Sequence, residues 1–495
     1  MIISIIITTL YAATLIGLAI YAFNALVMSA LFIRHRHRVK HETPPPQPQE
    51  WPQVTVQLPI FNERHVIERL IDAVVSLDYP LEKLSIQILD DSDDETTTLA
   101  RVRVAYHAAQ GIDISYLRRP ERTGYKAGAL AYGLQQTNSE FIAIFDADFV
   151  PQSNFLKDVI PHFADPRIAM VQSRWGHLNA ETSPFTRAQA IALDGHFAIE
   201  QTARSRSGLL LNFNGSGGIW RRAAIENAGG WQTDTIAEDL DLSYRAQLAG
   251  WKLHYLPNVI APAEVPPTLT AYKRQQFRWA KGSVQCLRKL GRKIALHSPF
   301  TVWQKIEAFL QMSAYLVHPL MLAMILIGLP AILIRDPDTL SLGALGIVGL
   351  APPILFALSQ WNFYPDWKRR FAYFPFLMLL GAGMALNNSK AIFEATIGRN
   401  PQMFLRTPKF SAEGHRAGQV SRDYNVPVDW TTWGEIIISL YCLAEAVVAF
   451  TRAPGLAIFL IIYAIGYLYT AGLGLWQSWG RTHYVGRAEP SRSIQ

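Results

Sequence analysis

The hydrophobic positions of this chain fall into two regimes. In one, apolar residues run on without a charge: residues 1–33 carry no charged side chain, and neither do Ala308 to Ile334, Thr339 to Pro365, Phe371 to Ser389 and Ala453 to Gly480. Each run is long enough to cross roughly 30 Å of hydrocarbon or nearly so. In the other, between Arg34 and Glu307, short apolar runs alternate with longer mixed segments. VTVQL precedes a helix-like stretch from Glu63 to Ser76, SIQIL precedes Thr96 to Ala109, DISYL precedes Tyr125 to Gln136, and FIAIF precedes Asn154 to Phe163. Such alternation predicts a mostly parallel sheet covered by helices. Ligands of such sheets bind in the crevice beyond the carboxyl ends of the strands.

The pattern divides the chain into an apolar anchor at 1–33, a basic and proline-rich linker at 34–52, an α/β domain at 53–265, interfacial helices at 266–305 and a helical membrane region at 306–495. The charge distribution orients it. RHRHRVKH, Arg34 to His41, follows the first apolar run directly, which places that end in the cytoplasm and makes the run an anchor rather than a cleaved signal peptide. WKRR at 367–370 and the basic loop at 398–429 also ask to be cytoplasmic. Both conditions hold if Phe371 to about Ala395 lies on the membrane surface, leaving five spans; a six-span arrangement is the alternative. Asn387, Asn388, Ser389 and Lys390 make that segment a poor spanning helix. Glu445 sits inside a further apolar segment, where an ionisable group needs a partner or a water-filled path.

Composition narrows the class. The chain has 495 residues, half of them hydrophobic and 17% charged, with a net charge of +7. That mixture excludes a disordered chain or a nucleic-acid-coating protein. Cys286 and Cys442 are the only cysteines, so there is no disulfide framework and no cysteine-based zinc site.

The candidate chemistry stands where the strands end. LDDSDDET sets Asp90 and Asp91 beyond the second strand, and FDADF sets Asp146 and Asp148 beyond the fourth. Hard carboxylate oxygens paired in this way suit Mg²⁺ or Mn²⁺ shared with a diphosphate. YKAGAL places Lys126 at an expected helix start, where backbone N–H groups favour a phosphate. Neither a Walker loop nor a G-x-G-x-x-G is present, which disfavours an ATPase or a dinucleotide dehydrogenase. AEDLDL brings Glu238, Asp239 and Asp241 to another helix start, where capping alone would explain acidity. RQQFRWAKGS offers Arg278 to clamp a phosphate and Trp279 to stack on a sugar, or else an amphipathic helix lying at the interface.

The series QLPIFNE, ILDDS, GYKAGAL, FDADF, FNGSGGIWR, EDLDL and QQFRW resembles the membrane-embedded family 2 glycosyltransferases, the group of the cellulose, chitin and hyaluronan synthases. Over about Val54 to Gly282 it is most similar to the plant cellulose-synthase-like A and C proteins, which make β-1,4-linked mannan or glucan backbones. The resemblance implies a Rossmann-like GT-A domain in the cytoplasm, an α-helical transmembrane region, a nucleotide-sugar donor, and Mg²⁺ or Mn²⁺. By resemblance, Asp90 or Asp91 holds the nucleotide, Asp146 and Asp148 position the metal, and Lys126 meets a phosphate. Gln275 and Arg278 close over the diphosphate, Trp279 receives the acceptor sugar, and Asp239 is the general base. Phe213 and Gly215, in FNGSGG, form a loop approaching the acceptor. FLRTPK resembles the F-x-V-T-x-K gating loop through Phe404, Thr407 and Lys409, with Arg406 in place of the valine.

The expected function is a processive, inverting hexosyl transfer from GDP-mannose or UDP-glucose to a growing polysaccharide, which is passed through the membrane. A non-processive enzyme making a glycolipid is the alternative, with a lipid as acceptor. A transporter without catalysis is the reading from another class. Membrane lipids are expected neighbours and nucleic acid is not; the sequence does not decide on an accessory subunit.

Overall fold

The computed structural model describes residues 1–40, 43–334, 349–398 and 429–485. Seven strands form one mixed sheet: β1 (Val54–Ile60), β2 (Leu84–Asp90), β3 (Ile114–Leu117), β4 (Phe141–Ile144), β5 (Ile168–His177), β6 (Gly218–Arg221) and β7 (Lys252–Ala263). Their order is β3-β2-β1-β4-β6-β5-β7. The first four run parallel, β6 runs antiparallel to both β4 and β5, and β5 pairs parallel with β7. The carboxyl ends of β1, β2, β4, β5 and β7 therefore open on one edge, and β6 starts there.

Period-two alternation sets the two faces of this sheet. On β4, Phe141, Ala143 and Phe145 enter a core shared with the helices Ile67–Val75 and Thr96–Ala108. Ile142 and Ile144 enter the opposite core, shared with Tyr125–Gln135 and Glu238–Leu248. Burial of a large apolar side chain contributes about 1.5–3 kcal/mol, so a slip of one residue would cost the strand both cores. β1 directs Val54, Val56, Leu58 and Ile60 to the first core. Its Gln57 faces the other way and donates from Nε2 to Gln87 Oε1 of β2 at 3.0 Å, a buried polar pair in register.

The expected strands and helices of the first half all form. Two helices are shorter than their periodicity suggested. The segment from Glu63 enters its helix only at Ile67, after a turn in which Val66 and Ile67 donate to the Glu63 carbonyl. The segment from Asn154 forms Phe155–Val159 and then tightens into a 3-10 turn at Ile160–Ala164, where Pro161 has no N–H to continue an α-helix.

Among the described residues, four helices are long and apolar enough to cross a membrane: Ile2–His37, Ala314–Ile334, Trp430–Arg452 and Pro454–Gln477. Trp367–Gly383 and Ala385–Ile397, bent by 42° at their junction, would make a fifth if they formed one broken span. Within the expected span at Thr339 to Pro365, the described part is the helix Ala351–Phe363. The polar residues that argued against a span at Phe371 to Ala395 have a different use: Asn387 and Asn388 are buried, and Asn387 donates to the Lys273 carbonyl of the helix Leu269–His297 at 3.1 Å. Glu445 is buried inside the helical bundle against Gly328.

Buried ion pairs join the sheet domain to the helices. Lys273 meets Glu435 at 2.6 Å, Lys281 meets Glu394 at 3.0 Å, and Arg204 meets Glu307 at 3.2 Å. Replacing Arg204 by Met leaves the fully buried Glu307 carboxylate without its cation, which should destabilise the protein by about 3–5 kcal/mol. A thermal unfolding midpoint of the purified full-length variant equal to that of the parent would show that this pair does not hold the seam.

Candidate active site

The edge where the strands end is lined as a cleft, and the strand geometry decides which acids reach it. Asp90 is the last residue of β2 and pairs in register with Ile60. It turns inward and accepts hydrogen bonds from Tyr116 Oη at 2.6 Å, Thr97 Oγ1 at 3.0 Å and the Ser92 N–H at 2.8 Å. Asp90 thus holds the loop after β2 and does not line the cleft. Asp91, one residue on, faces the cleft and receives a two-pronged contact from Arg119, with Nε at 2.7 Å and Nη2 at 2.6 Å. Such fork-on-carboxylate geometry is strong and directional. Arg119 also donates to the Tyr125 carbonyl at 2.8 Å, so Asp91 indirectly fixes the turn that opens GYKAGAL.

In that turn Gly124 has φ +68°, and a Cβ there would run into Thr233. The glycine lets the chain double back into the helix Tyr125–Gln135, whose first turn presents Lys126. The Lys126 ammonium stands 2.6 Å from Asp146 Oδ1 and 3.8 Å from Glu238 Oε1, and donates to the Gly215 carbonyl at 2.8 Å. Burial pulls its pKa down, but Asp146, Glu238 and Asp239 outweigh that pull and hold it above the usual lysine value. Lys126 is therefore the fixed cation among the acids. Asp146 is further located by its own N–H, which donates to Ser216 Oγ at 2.8 Å. Asp148 lines the same cleft.

FNGSGG divides its labour. Phe213 is fully buried against Trp220, with ring centroids 5.9 Å apart, so it packs the core and is not a cleft residue as expected. Gly215 lines the cleft at φ +82°, and a Cβ on it would lie 3.1 Å from Asp239 Oδ2 and 3.3 Å from Lys126 Nζ. Glycine there lets backbone approach both groups at once.

The acidic helix Glu238–Leu248 supplies two cleft groups and one strut. Asp241 is fully buried and bonded to Arg245 at 2.7 Å and Lys289 at 2.8 Å, which fastens this helix to Leu269–His297. Glu238 and Asp239 face the cleft. The Asp239 carboxyl is pushed up to about 7 by burial first and by the neighbouring Glu238 second, against the opposing pull of Lys126 and the Leu240 N–H. Leu240 donates to Asp239 Oδ1 at 2.8 Å, leaving Oδ2 on the side of Gly215. Burial likewise raises Glu238, with Lys126 opposing.

From the far wall, Gln275, Arg278 and Trp279 project out of the helix Leu269–His297 into the same space. Burial lowers the pKa of the Arg278 guanidinium, against Asp146, Glu238, Asp148 and Glu63. The Leu269–His297 helix is capped by Thr268, whose Oγ1 accepts from the Ala271 N–H at 3.4 Å.

The structure thus gathers Asp91, Lys126, Asp146, Asp148, Gly215, Asp239, Gln275, Arg278 and Trp279 around one cleft, and sets Asp90 and Phe213 behind it. Phe404, Thr407 and Lys409 lie outside the described residues. Other cleft residues were not assigned from the sequence. Trp175 and His177 stand at the carboxyl end of β5 and line the cleft. Trp175 Nε1 donates to the Ser216 carbonyl at 3.1 Å, so it also braces the glycine loop. Glu63, Glu264 and Arg122 line it as well. Glu63 stands just beyond β1, where the rule that found Asp146 also applies.

Residues 52–282 match the family described as "Glycosyltransferase like family 2". Among curated proteins, glucomannan 4-beta-mannosyltransferase 9 of Arabidopsis thaliana is 40% identical over 52% of this chain and 49% of its own length. Glucomannan 4-beta-mannosyltransferase 1 of Oryza sativa subsp. japonica is 42% identical over 52% of this chain and 50% of its own. The chain spans about half the length of the curated relatives it matches. Among solved structures, a mannosyltransferase from Pyrobaculum calidifontis in complex with GDP-Man and Mn²⁺ superposes with a TM-score of 0.51 at 22% identity, over 77% of this chain and 100% of that one. That likeness, at low identity, is one of fold. The sheet order and the structural likeness give 52–282 a GT-A fold, and over the same residues the chain is similar to the family 2 glycosyltransferases.

Proposed function

We propose that the chain is a membrane-embedded, inverting hexosyltransferase that extends a β-1,4-linked polysaccharide and passes it across the bilayer, with GDP-mannose as donor. The observation that carries this reading is the convergence of Asp146, Asp148, Lys126, Arg278 and Asp239 on one cleft. The mannosyl donor is suggested by the glucomannan mannosyltransferases among its relatives. The sheet domain faces the cytoplasm, where RHRHRVKH follows the first membrane helix.

The residues fit a divalent cation that is completed by substrate. Among the described residues no group of three or more His, Cys, Asp or Glu is close enough to hold an ion alone. Asp146 and Asp148 offer hard oxygens, and Mg²⁺ or Mn²⁺ characteristically binds one or two carboxylates and takes its other ligands from phosphate and water. When bound there, the ion neutralises charge on the departing diphosphate.

The remaining work falls to the chain. Asp91 and its Arg119 brace form the nucleotide end of the cleft. Lys126 and Arg278 face the diphosphate, whose negative charge grows as the bond from phosphate oxygen to the anomeric carbon breaks; fixed cations there favour the transition state over the ground state. Trp279 lays an indole against the acceptor sugar, and Gln275 orients the donor beside it. Asp239, ionised, accepts the proton of the acceptor 4-hydroxyl while that oxygen attacks the anomeric carbon from the face opposite the diphosphate. The product carries inverted configuration, the nucleoside diphosphate leaves as an anion, and no acid group is consumed.

The assay that tests this reading offers radiolabelled GDP-mannose and UDP-glucose separately, with Mn²⁺ or Mg²⁺, to the full-length protein in lipid. A product degraded by β-mannanase is expected; label that extracts into organic solvent would replace the polymer by a glycolipid. Asp239→Asn should keep nucleotide binding, followed by calorimetry with GDP, and lose about 10²–10⁴-fold in turnover, the range for a positioned base. Full turnover would leave Asp239 as a helix-start residue only. The base must be deprotonated, so kcat/KM should fall as pH drops below about 7 and level off above it. Lys126 lowers the Asp239 pKa, so in Lys126→Met the acid limb should move to higher pH; a limb that stays in place would assign it to another group.

A further inference from the structure

A second cavity, of about 840 Å³ and open on one side, lies at the junction of the N-terminal helix, the sheet domain and the helix Ala351–Phe363. Its chemistry is the reverse of the cleft's. Arg36, His37 and Arg174 line it together with Phe32, Trp361 and Phe363, and no carboxylate does.

Arg174 is the unusual member. It sits on β5 opposite an irregularity of β7, where Pro257, Asn258 and Val259 stand unpaired between the partners of Ser173 and Arg174. The residue is only 9% exposed. Its Nε donates to the Pro257 carbonyl at 2.9 Å and its guanidinium stacks 3.9 Å from the Phe363 ring centre. Among the described residues no acid pairs with it, although buried arginines are almost always paired. Arg36 lies 4.8 Å over the Trp361 ring and also has no acidic partner among the described residues. Among the described residues the cavity therefore holds one buried and one half-buried arginine and no counter-charge.

Its position supplies the anion. Arg36 and His37 end the candidate span Ile2–His37, and Trp361, 47% exposed, stands beside them as interfacial tryptophans do. Basic pockets between membrane helices on the cytoplasmic side are suited to anionic head groups. Phe32, Trp361 and Phe363 add an apolar wall that a free phosphate would leave wet and a lipid glycerol with its first acyl carbons would cover.

We propose that this cavity binds the phosphate head group of an anionic membrane phospholipid, held by Arg174 and Arg36 with its glycerol against Trp361. The inference rests on the reading that Ile2–His37 crosses a membrane and is independent of the transferase chemistry.

The test uses the full-length protein in phosphatidylcholine vesicles that contain equal fractions of brominated phosphatidylglycerol or brominated phosphatidylcholine. Bromine quenches indole emission on contact, and the Trp361 share is obtained by subtracting the signal of Trp361→Phe. Trp361 should be quenched at a lower fraction of the anionic lipid than of the neutral one. In Arg36→Gln that fraction should rise about fivefold, the effect of one juxtamembrane cation, and further when Arg174→Gln is added. Arg36→Gln alone carries the comparison if the buried change prevents folding. Equal quenching by both head groups overturns the proposal. So does displacement of the brominated anionic lipid by millimolar inorganic phosphate, which would make the occupant a soluble anion. Tryptophan emission untouched by either lipid overturns it together with the membrane reading.

Discussion

Seven carboxylates share the cleft with three permanent cations, Arg122, Lys126 and Arg278. The arrangement follows from the sheet, because parallel strands deliver the residues after β1, β2 and β4 to the same edge. Like charges about 4 Å apart repel by about 4 kcal/mol at the effective dielectric of a protein surface, so the edge is tolerable only with internal cations. Lys126 meets that need by bridging Asp146 and the Gly215 carbonyl, at the side of Glu238. The geometry around it then becomes constrained. Glycine is required at 215 because Lys126 and Asp239 both crowd that backbone, and at 124 because the chain must reverse before the helix that carries the lysine. Burial first, and the repulsion of Glu238 second, raise Asp239 into the range where a carboxylate works as a base near neutrality.

The helix Leu269–His297 links this electrostatic centre to the rest of the chain. One side of it presents Gln275, Arg278 and Trp279 to the cleft, while Lys273 and Lys281 reach Glu435 and Glu394 among the apolar helices. Lys289 grips Asp241 on the acidic helix. The same element thus meets the acidic helix, the cleft and the bundle. The connection from the bundle to Arg278 and Trp279 is one continuous helix rather than a loop.

Much of this was legible in the sequence, and the limits have physical causes. The four parallel strands and their helices could be read because each buries a local, periodic apolar pattern. The acids stood out because apolar strands rarely end in carboxylates without reason. Choosing between Asp90 and Asp91 was beyond the sequence: successive strand residues face opposite ways, and the direction depends on where β2 ends and on Tyr116 in a neighbouring strand. Phe213 was misjudged for a similar reason, since its place is set by Trp220 and not by the glycines beside it. The second half of the sheet was the harder part. β5 and β7 pair across more than eighty residues with two register shifts, and the antiparallel β6 lies between β4 and β5, so nothing local announces them.

β5 also explains how two opposite electrostatic environments share one strand. Trp175 and His177 line the acidic cleft, and Arg174, next to Trp175, lines the basic cavity beneath the N-terminal helix. Alternation puts neighbours on opposite faces, and the unpaired stretch of β7 supplies the Pro257 carbonyl that holds Arg174 at the seam with Phe363. In the proposed reaction a nucleotide sugar carries two or more negative charges into a site whose own groups are mostly acidic. Its entry is favourable only with a divalent cation and with Lys126 and Arg278 already in place. The seam beside the membrane has the complementary requirement, cations that need an anion. The chain's net charge of +7 says nothing of this, because a sum over the whole chain carries no information on where the charges stand.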